Sequence, residues 1–254
     1  MNKYFLYLAS LGVLVVLAIS CQSEKKSQQS EEHEGGVAQT QNATAKTAEK
    51  EGADKPFGMY VGAFGPNKIN IVVQKLEENG IVSGYSVVSG NQRPFTGTYK
   101  KSGEQYEIEA KEPGNDPYDG SFAFAINPQS KTAEGTWTPF KKSTPSRSFK
   151  LAQKSFAYNA AAGSYPETSE KLLAEADVEN LLKQELRIMR NEIYARHGYS
   201  FKMKDMRSYF DQQDWYIPTT TDVRDALTEV EEKNVALLKR YEKYAADYYD
   251  EYGR

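Results

Sequence analysis

The chain has 254 residues and a formal net charge of -3, from 32 Lys and Arg against 35 Asp and Glu. That length suits one or two domains, and the near balance of charge gives no reason to expect a nucleic-acid partner. Cys21 is the only cysteine, which excludes an intramolecular disulfide and any multi-cysteine zinc cluster.

The N-terminus is the first organised segment. Lys3 is followed by an uncharged, mostly apolar run from Tyr4 to Ile19. A membrane-spanning helix needs roughly 20 apolar residues, so this run is short for a permanent span. It fits the apolar core of a secretory signal over residues 1–20. Ala18 and Ser20 precede Cys21, and a polar tract follows at once. This resembles the bacterial lipoprotein signal, although Ile19 is larger than the usual small residue. The resemblance implies cleavage after Ser20, diacylation of the Cys21 thiol and acylation of the new amine. Each buried acyl methylene contributes roughly 0.8 kcal/mol, and more than one chain anchors stably. Gln22 is not the aspartate associated with inner-membrane retention, so the outer membrane is favoured where there is one. An ordinary signal peptide with an incidental cysteine is the competing reading.

Residues 21–55 hold the lipidated cysteine and a tract with almost no large apolar residues and no aromatics. Such a tract cannot bury enough surface to offset the entropy of ordering, so it is expected to be a disordered tether. Its mean reach is about 30 Å. His33 lies there between glutamates, where it is expected only to be solvated.

From 56 to 155 the pattern is that of strands. Ile69, Ile71 and Val73 alternate, as do Ile81, Ser83, Tyr85 and Val87; Tyr106, Ile108 and Ala110; and Phe122, Phe124 and Ile126. Period two with Gly, Asn and Pro between runs argues antiparallel strands. Eight runs centre near residues 61, 72, 85, 97, 107, 123, 136 and 150, with short connections that favour a meander. Gly-x-aromatic recurs at Gly62–Phe64, Gly97–Tyr99, Gly120–Phe122 and Gly135–Trp137. Glycine within a strand often marks a bend or bulge, which would let the meander curl. A small closed barrel, loosely similar to lipocalin and avidin-like barrels, competes here with an open curled sheet or a sandwich.

A linker is expected over 156–163, and the period then becomes helical over 164–254. Asp177 can cap a short turn running into Leu181 and Leu182. Leu186, Met189, Ile193 and His197 share one helical face, and Gly198 sits where that helix would stop. A second helix is predicted over Lys204 to Gln212, with Met206, Tyr209 and Phe210 inward. Thr228 and Glu231 form a capping box for a last helix presenting Val230, Leu237, Leu238, Tyr241 and Tyr244. The expected fold class is α+β multidomain: a small antiparallel meander or barrel of about eight strands, then a small all-α domain.

The helical part closely resembles the YARHG domain of bacterial extracellular and envelope proteins. The resemblance rests on the unbroken run from Arg190 to Gly198 (Arg190, Asn191, Glu192, Ile193, Tyr194, Ala195, Arg196, His197, Gly198). Phe201, Tyr209, Phe210, Trp215, Tyr216, Asn234 and Tyr241 extend it. It implies a small helical module on secreted or surface-anchored chains, without an established activity.

His197 raises the question of catalysis. A histidine base needs a nucleophile or metal and an orienting partner. Cys21 is the lipid site, and the Gly-x-Ser-x-Gly elbow and HExxH spacing are both absent from the sequence. The structural reading is that His197 closes an apolar stripe while Glu192 pairs with Arg196 and Arg190 meets Tyr194. The guanidinium forks would tie down backbone carbonyls, and Phe210, Trp215 and Tyr216 would supply an aromatic wall. No catalytic residue, metal or cofactor is therefore assigned. The expected function is a non-enzymatic, lipid-anchored envelope protein. Its expected partners are the membrane, through Cys21, and an envelope protein, glycan or peptide. A carrier of a small hydrophobic ligand inside the barrel is the alternative, and hydrolysis of envelope polymer a distant one.

Overall fold

In the computed structural model, which describes residues 56–114, 116 and 118–248, eight antiparallel strands follow one another and close into a barrel. They are β1 (Gly58–Phe64), β2 (Asn67–Leu76), β3 (Ile81–Val88), β4 (Asn91–Ser102), β5 (Gln105–Lys111), β6 (Gly120–Asn127), β7 (Thr132–Pro139) and β8 (Arg147–Lys154). Each expected run falls within one strand. Closure joins β1 to β8 through the pairs Met59–Lys154, Tyr60–Gln153 and Val61–Ala152, so no long strand edge is left open. The expected signal, Cys21 and tether lie outside the described residues.

Aromatic side chains fill the barrel. Phe122 of β6 meets Phe95 of β4 at 5.7 Å and Phe149 of β8 at 6.3 Å between ring centroids. Phe149 in turn reaches Phe64 of β1 at 6.3 Å. These strands are not neighbours, apart from β1 and β8, so the ring contacts cross the lumen. Ile69, Ile71, Ile108, Ile126 and Leu151 pack around them. Side chains thus occupy the centre where the carrier reading places a ligand.

The Gly-x-aromatic repeat explains how so many rings fit. Residues two apart share a strand face, and here glycine and ring both turn inward. Gly84 pairs with Phe95, and Gly135 stands between Phe124 and Phe149. A β-carbon on Gly97 would stand 2.0 Å from the Glu109 carbonyl oxygen, and one on Gly84 2.7 Å from the Phe95 ring. The expected bulges are not at these glycines: they clear space in regular pairings, while a register shift occurs between Val73 and Lys75. The face of β3 is also corrected. Val82, Gly84 and Ser86 are buried, and Ile81 at its start is 38% exposed.

Four helices follow: α1 (Glu167–Glu170), α2 (Lys183–Arg196), α3 (Lys204–Phe210) and α4 (Glu229–Tyr248). Asp177 ends a single 3-10 turn and accepts the Ala174 backbone N–H at 2.8 Å. At the N-terminus of α2, Glu185 accepts the Leu182 N–H at 2.9 Å. The capping box of α4 is complete: Thr228 N–H donates to Glu231 and Glu231 N–H donates to the Thr228 hydroxyl. Leu186, Met189 and Ile193 of α2 pack with Val235, Leu238 and Ala245 of α4. The expected α4 stripe is corrected, because Tyr244 is 46% exposed and the buried line begins with Glu231 and Asn234. A second cluster joins Ala195 to Phe201, Met206, Phe210 and Tyr216. α3 stops at Phe210, two residues before the expected end.

Barrel and helices dock through polar contacts. Lys68 of β2 donates its backbone N–H to Asp211 at 2.9 Å, and its Nζ to the Gln213 and Tyr216 carbonyls at 2.6 and 3.0 Å. Asn70 donates to the Pro218 carbonyl at 3.0 Å, and Gly90 N–H to the Ser200 hydroxyl at 2.9 Å. A β-carbon on Gly90 would lie 2.5 Å from the Lys202 side chain. This docking accounts for Asn70 and its cross-strand neighbour Val87, which are both fully buried on the outer face of the barrel.

Candidate functional site

The 14 residues of α2 present two different faces. One is tied into the protein. Arg196 is fully buried, and all five guanidinium N–H groups are used. Nε donates to the Ala162 carbonyl at 2.7 Å. Nη1 donates to the hydroxyls of Thr168 and Ser169 at 2.7 and 2.8 Å. Nη2 donates to the Tyr165 carbonyl at 2.7 Å and to Glu192 at 2.9 Å. Glu192 also accepts the backbone N–H groups of Ser164 and Tyr165, both at 2.9 Å. Burial raises the Glu192 carboxyl, although these donors and the Arg196 charge pull it down. Burial likewise lowers Arg196, against the pull of Glu192.

His197 ends the same face. Its Nε2 lies 2.7 Å from Glu231 Oε2, joining the end of α2 to the start of α4. Its ring stacks on Tyr158 at 4.5 Å between centroids. Glu231 accepts three further hydrogen bonds, from the Tyr158 hydroxyl at 3.0 Å, Ser169 at 2.7 Å and the Thr228 N–H at 2.9 Å. Burial alone would raise Glu231, yet the His197, Thr228 and Ser169 bonds and the His197 charge outweigh it and hold the carboxyl at about 2. A serine–histidine relay requires the hydroxyl on the imidazole. Here Ser169 donates to the carboxylate and accepts from Arg196, and among the described residues no hydroxyl bonds His197. Gly198 then turns the chain at φ +78° and its carbonyl accepts the N–H groups of Thr219 and Thr220.

The second face of α2 opens on a groove of about 740 Å³. Arg187, Arg190, Asn191 and Tyr194 form this wall, at the spacing of a single helical stripe. Tyr199, Phe201, Lys202, Met203 and Met206 form another. Thr221 to Arg224, Leu227, Glu232, Val235 and Lys239 complete it. Arg190 grips Glu242 through Nε and Nη2 and stands 5.9 Å from the Tyr194 ring centre. Its guanidinium is held above the usual value, because the Glu242 bonds and charge overcome the effect of burial. Arg187 pairs with Asp205. Asn191 donates to the Arg187 carbonyl at 2.7 Å.

The motif residues therefore divide. Glu192, Arg196 and His197 hold the interior, while Arg190, Asn191 and Tyr194 line the groove. Trp215 and Tyr216 belong to neither. They do not wall His197; Tyr216 packs with Phe201 and Phe210, donates its hydroxyl to the Tyr199 carbonyl at 2.7 Å and is pushed well above 10 by burial. Trp215 covers the edge of Phe210.

Sequence reasoning missed Tyr158, Ser169 and Glu242 and gave Glu231 only a capping role. Residues 156–163, read as a linker, contribute the Tyr158 ring and the Ala162 carbonyl to this network. A β-carbon on Gly163 would lie 2.6 Å from the Glu192 carboxylate, so that segment fits closely.

Fold and geometry define a two-part α+β protein, a filled barrel carrying a helical module with a grooved face. The helical module is a YARHG domain, matched over residues 163–243. That span covers α1 to α4 up to the last turns of the final helix and includes both faces of α2. No curated protein matches the chain.

Proposed function

We propose that this protein is a non-enzymatic binding protein of the cell envelope, held at a membrane by lipid on Cys21 and using the groove of its YARHG domain to take a partner. The division of the motif carries this reading. His197, the residue that would do chemistry, is committed to Glu231 and Tyr158 inside the fold. Arg190, Asn191 and Tyr194 instead line an accessible cleft whose size falls within the range of about 300–1,000 Å³ typical of ligand pockets. The barrel, packed with rings, serves as the platform. An envelope protein, a glycan or a peptide is the class of occupant.

The test is photocrosslinking in living cells. A photoreactive residue at Met203, in the groove, should give a discrete adduct that the same residue at Thr98, exposed on β4, does not. Equal adducts at both positions would overturn the reading. The anchor has its own test: Cys21→Ala should move the protein from the membrane to the soluble fraction and change its mass. A variant that stays membrane-bound with unchanged mass would remove lipidation from the proposal.

A further inference from the structure

We infer that the groove beside α2 receives a peptide segment of a partner protein in which acidic residues alternate with apolar ones. The inference rests on the groove being the binding face and names its occupant. Two observations select that chemistry. The first is the charge of the walls. Arg187, Arg190, Lys202, Arg224 and Lys239 line the groove, against Asp222 and Glu232. The carboxylates that balance Arg187 and Arg190 are Asp205 and Glu242, which are not part of the lining. Asp222 is bound to Arg224. Among the described residues neither Lys202 nor Lys239 has a carboxylate within 4.0 Å, the reach of an ion pair. Cationic groups in a cleft between low-dielectric walls attract carboxylates more strongly than the same groups on an open surface.

The second observation is the floor. Met203 is 63% exposed, and Leu227 with the nearly buried Met206, Val223 and Val235 makes up the rest of the aliphatic lining. Methionine adapts to apolar side chains of varied shape and is over-used on peptide-binding surfaces. A sugar ring would instead seek a free aromatic face. The two wall tyrosines meet each other at 61°, with 6.1 Å between centroids, and Arg190 stands over Tyr194. Aliphatic floor and cationic rim together fit glutamate or aspartate flanking leucine-like side chains.

The probe is a fluorescein-labelled dodecapeptide alternating glutamate and leucine, titrated by anisotropy with the full-length lipidated protein in detergent. Glutamate–serine and lysine–leucine dodecapeptides and the acidic polysaccharide alginate are the comparisons. The glutamate–leucine peptide should bind at least tenfold tighter than either other peptide, a difference of about 1.4 kcal/mol per factor of ten. Lys202→Glu with Lys239→Glu should weaken it about tenfold or more, and Met203→Ser should weaken it with no change in circular dichroism, because all three side chains are exposed. Equal binding of glutamate–serine, equal binding of lysine–leucine, binding of alginate alone, or indifference to the substitutions would each overturn the inference. An adduct at position 203 without binding of the acidic peptide would leave the groove a binding face and remove only this occupant.

Discussion

Glu231 shows how one side chain couples local structure to stability. It caps α4, accepts from Ser169 and Tyr158, and meets His197. Its carboxyl is held at about 2, against 4.5 when free. Above pH 4.5 the group is ionised both folded and unfolded, and its contribution is fully present. As the pH falls from there towards 2, the unfolded chain takes up a proton that the folded chain refuses, so stability is lost. Below 2 both forms are protonated and the contribution is gone. Glu231→Gln should therefore destabilise the protein at pH 7, by about 3–5 kcal/mol if it behaves as a broken buried pair. Urea titrations of the two proteins should converge as pH is lowered to 2. A gap that stays constant from pH 7 to 2 would show that the ionised carboxylate is not the stabilising species. The pairing of Glu192 with Arg196 was legible from their four-residue spacing. The pairing of Glu231 with His197 was not, because 34 residues separate them and the capping role already accounted for the glutamate.

At the scale of elements, the alternation located every strand, because half-buried strands impose period two wherever one face is apolar. It misled on β3 for a physical reason. The inward positions of that strand include Gly84, which yields its space to Phe95, and Ser86, so the buried face looks less apolar than the outer one. Val87 added to the confusion, being outward yet buried where the helical domain lies against the barrel. The same crowding predicts the effect of a methyl group. Gly97→Ala would place a β-carbon 2.0 Å from the Glu109 carbonyl oxygen and 2.5 Å from the Ala110 α-carbon, both backbone atoms in the paired strand. The strands would have to part, and overpacking of this kind costs about 1–3 kcal/mol or more. Gly103→Ala is the control, since nothing lies within 4 Å of its added carbon. Its φ of +61° leaves it with backbone strain and no crowding, whereas Gly97 is crowded without a positive φ, so the two substitutions separate the two effects. Thermal unfolding should show the larger loss for Gly97→Ala, and equal losses would mean that crowding at Gly97 costs no more than backbone strain at Gly103.

For the whole molecule, the change from period two to helical period marked where the two bodies divide but not how they join. The join is made by Lys68, Asn70 and Gly90 on one side and Asp211, Pro218 and Ser200 on the other, partners 110 to 148 residues apart. Polar side chains in strands and loops carry no periodic signal, so the sequence offered no trace of this contact. Lys68 is the centre of it. Burial lowers its ammonium, partly offset by Asp211 and Asp214, and its Nζ rests between two carbonyls with the Tyr216 ring at 5.5 Å. Removing that side chain strands the Gln213 and Tyr216 carbonyls at a half-buried surface, with a loss of about 1–3 kcal/mol for each unsatisfied group, while the Lys68 backbone N–H still holds Asp211. The two bodies should therefore unfold together in the unaltered protein and come apart when the joint is weakened. Calorimetry should record one transition for the native chain. Lys68→Ala with Asn70→Ala should split it into two, the barrel and the helical domain each melting at its own temperature. A single transition merely shifted downward would mean that the connection through 156–163, with Tyr158 stacked on His197 and the Ala162 carbonyl held by Arg196, is enough to couple them.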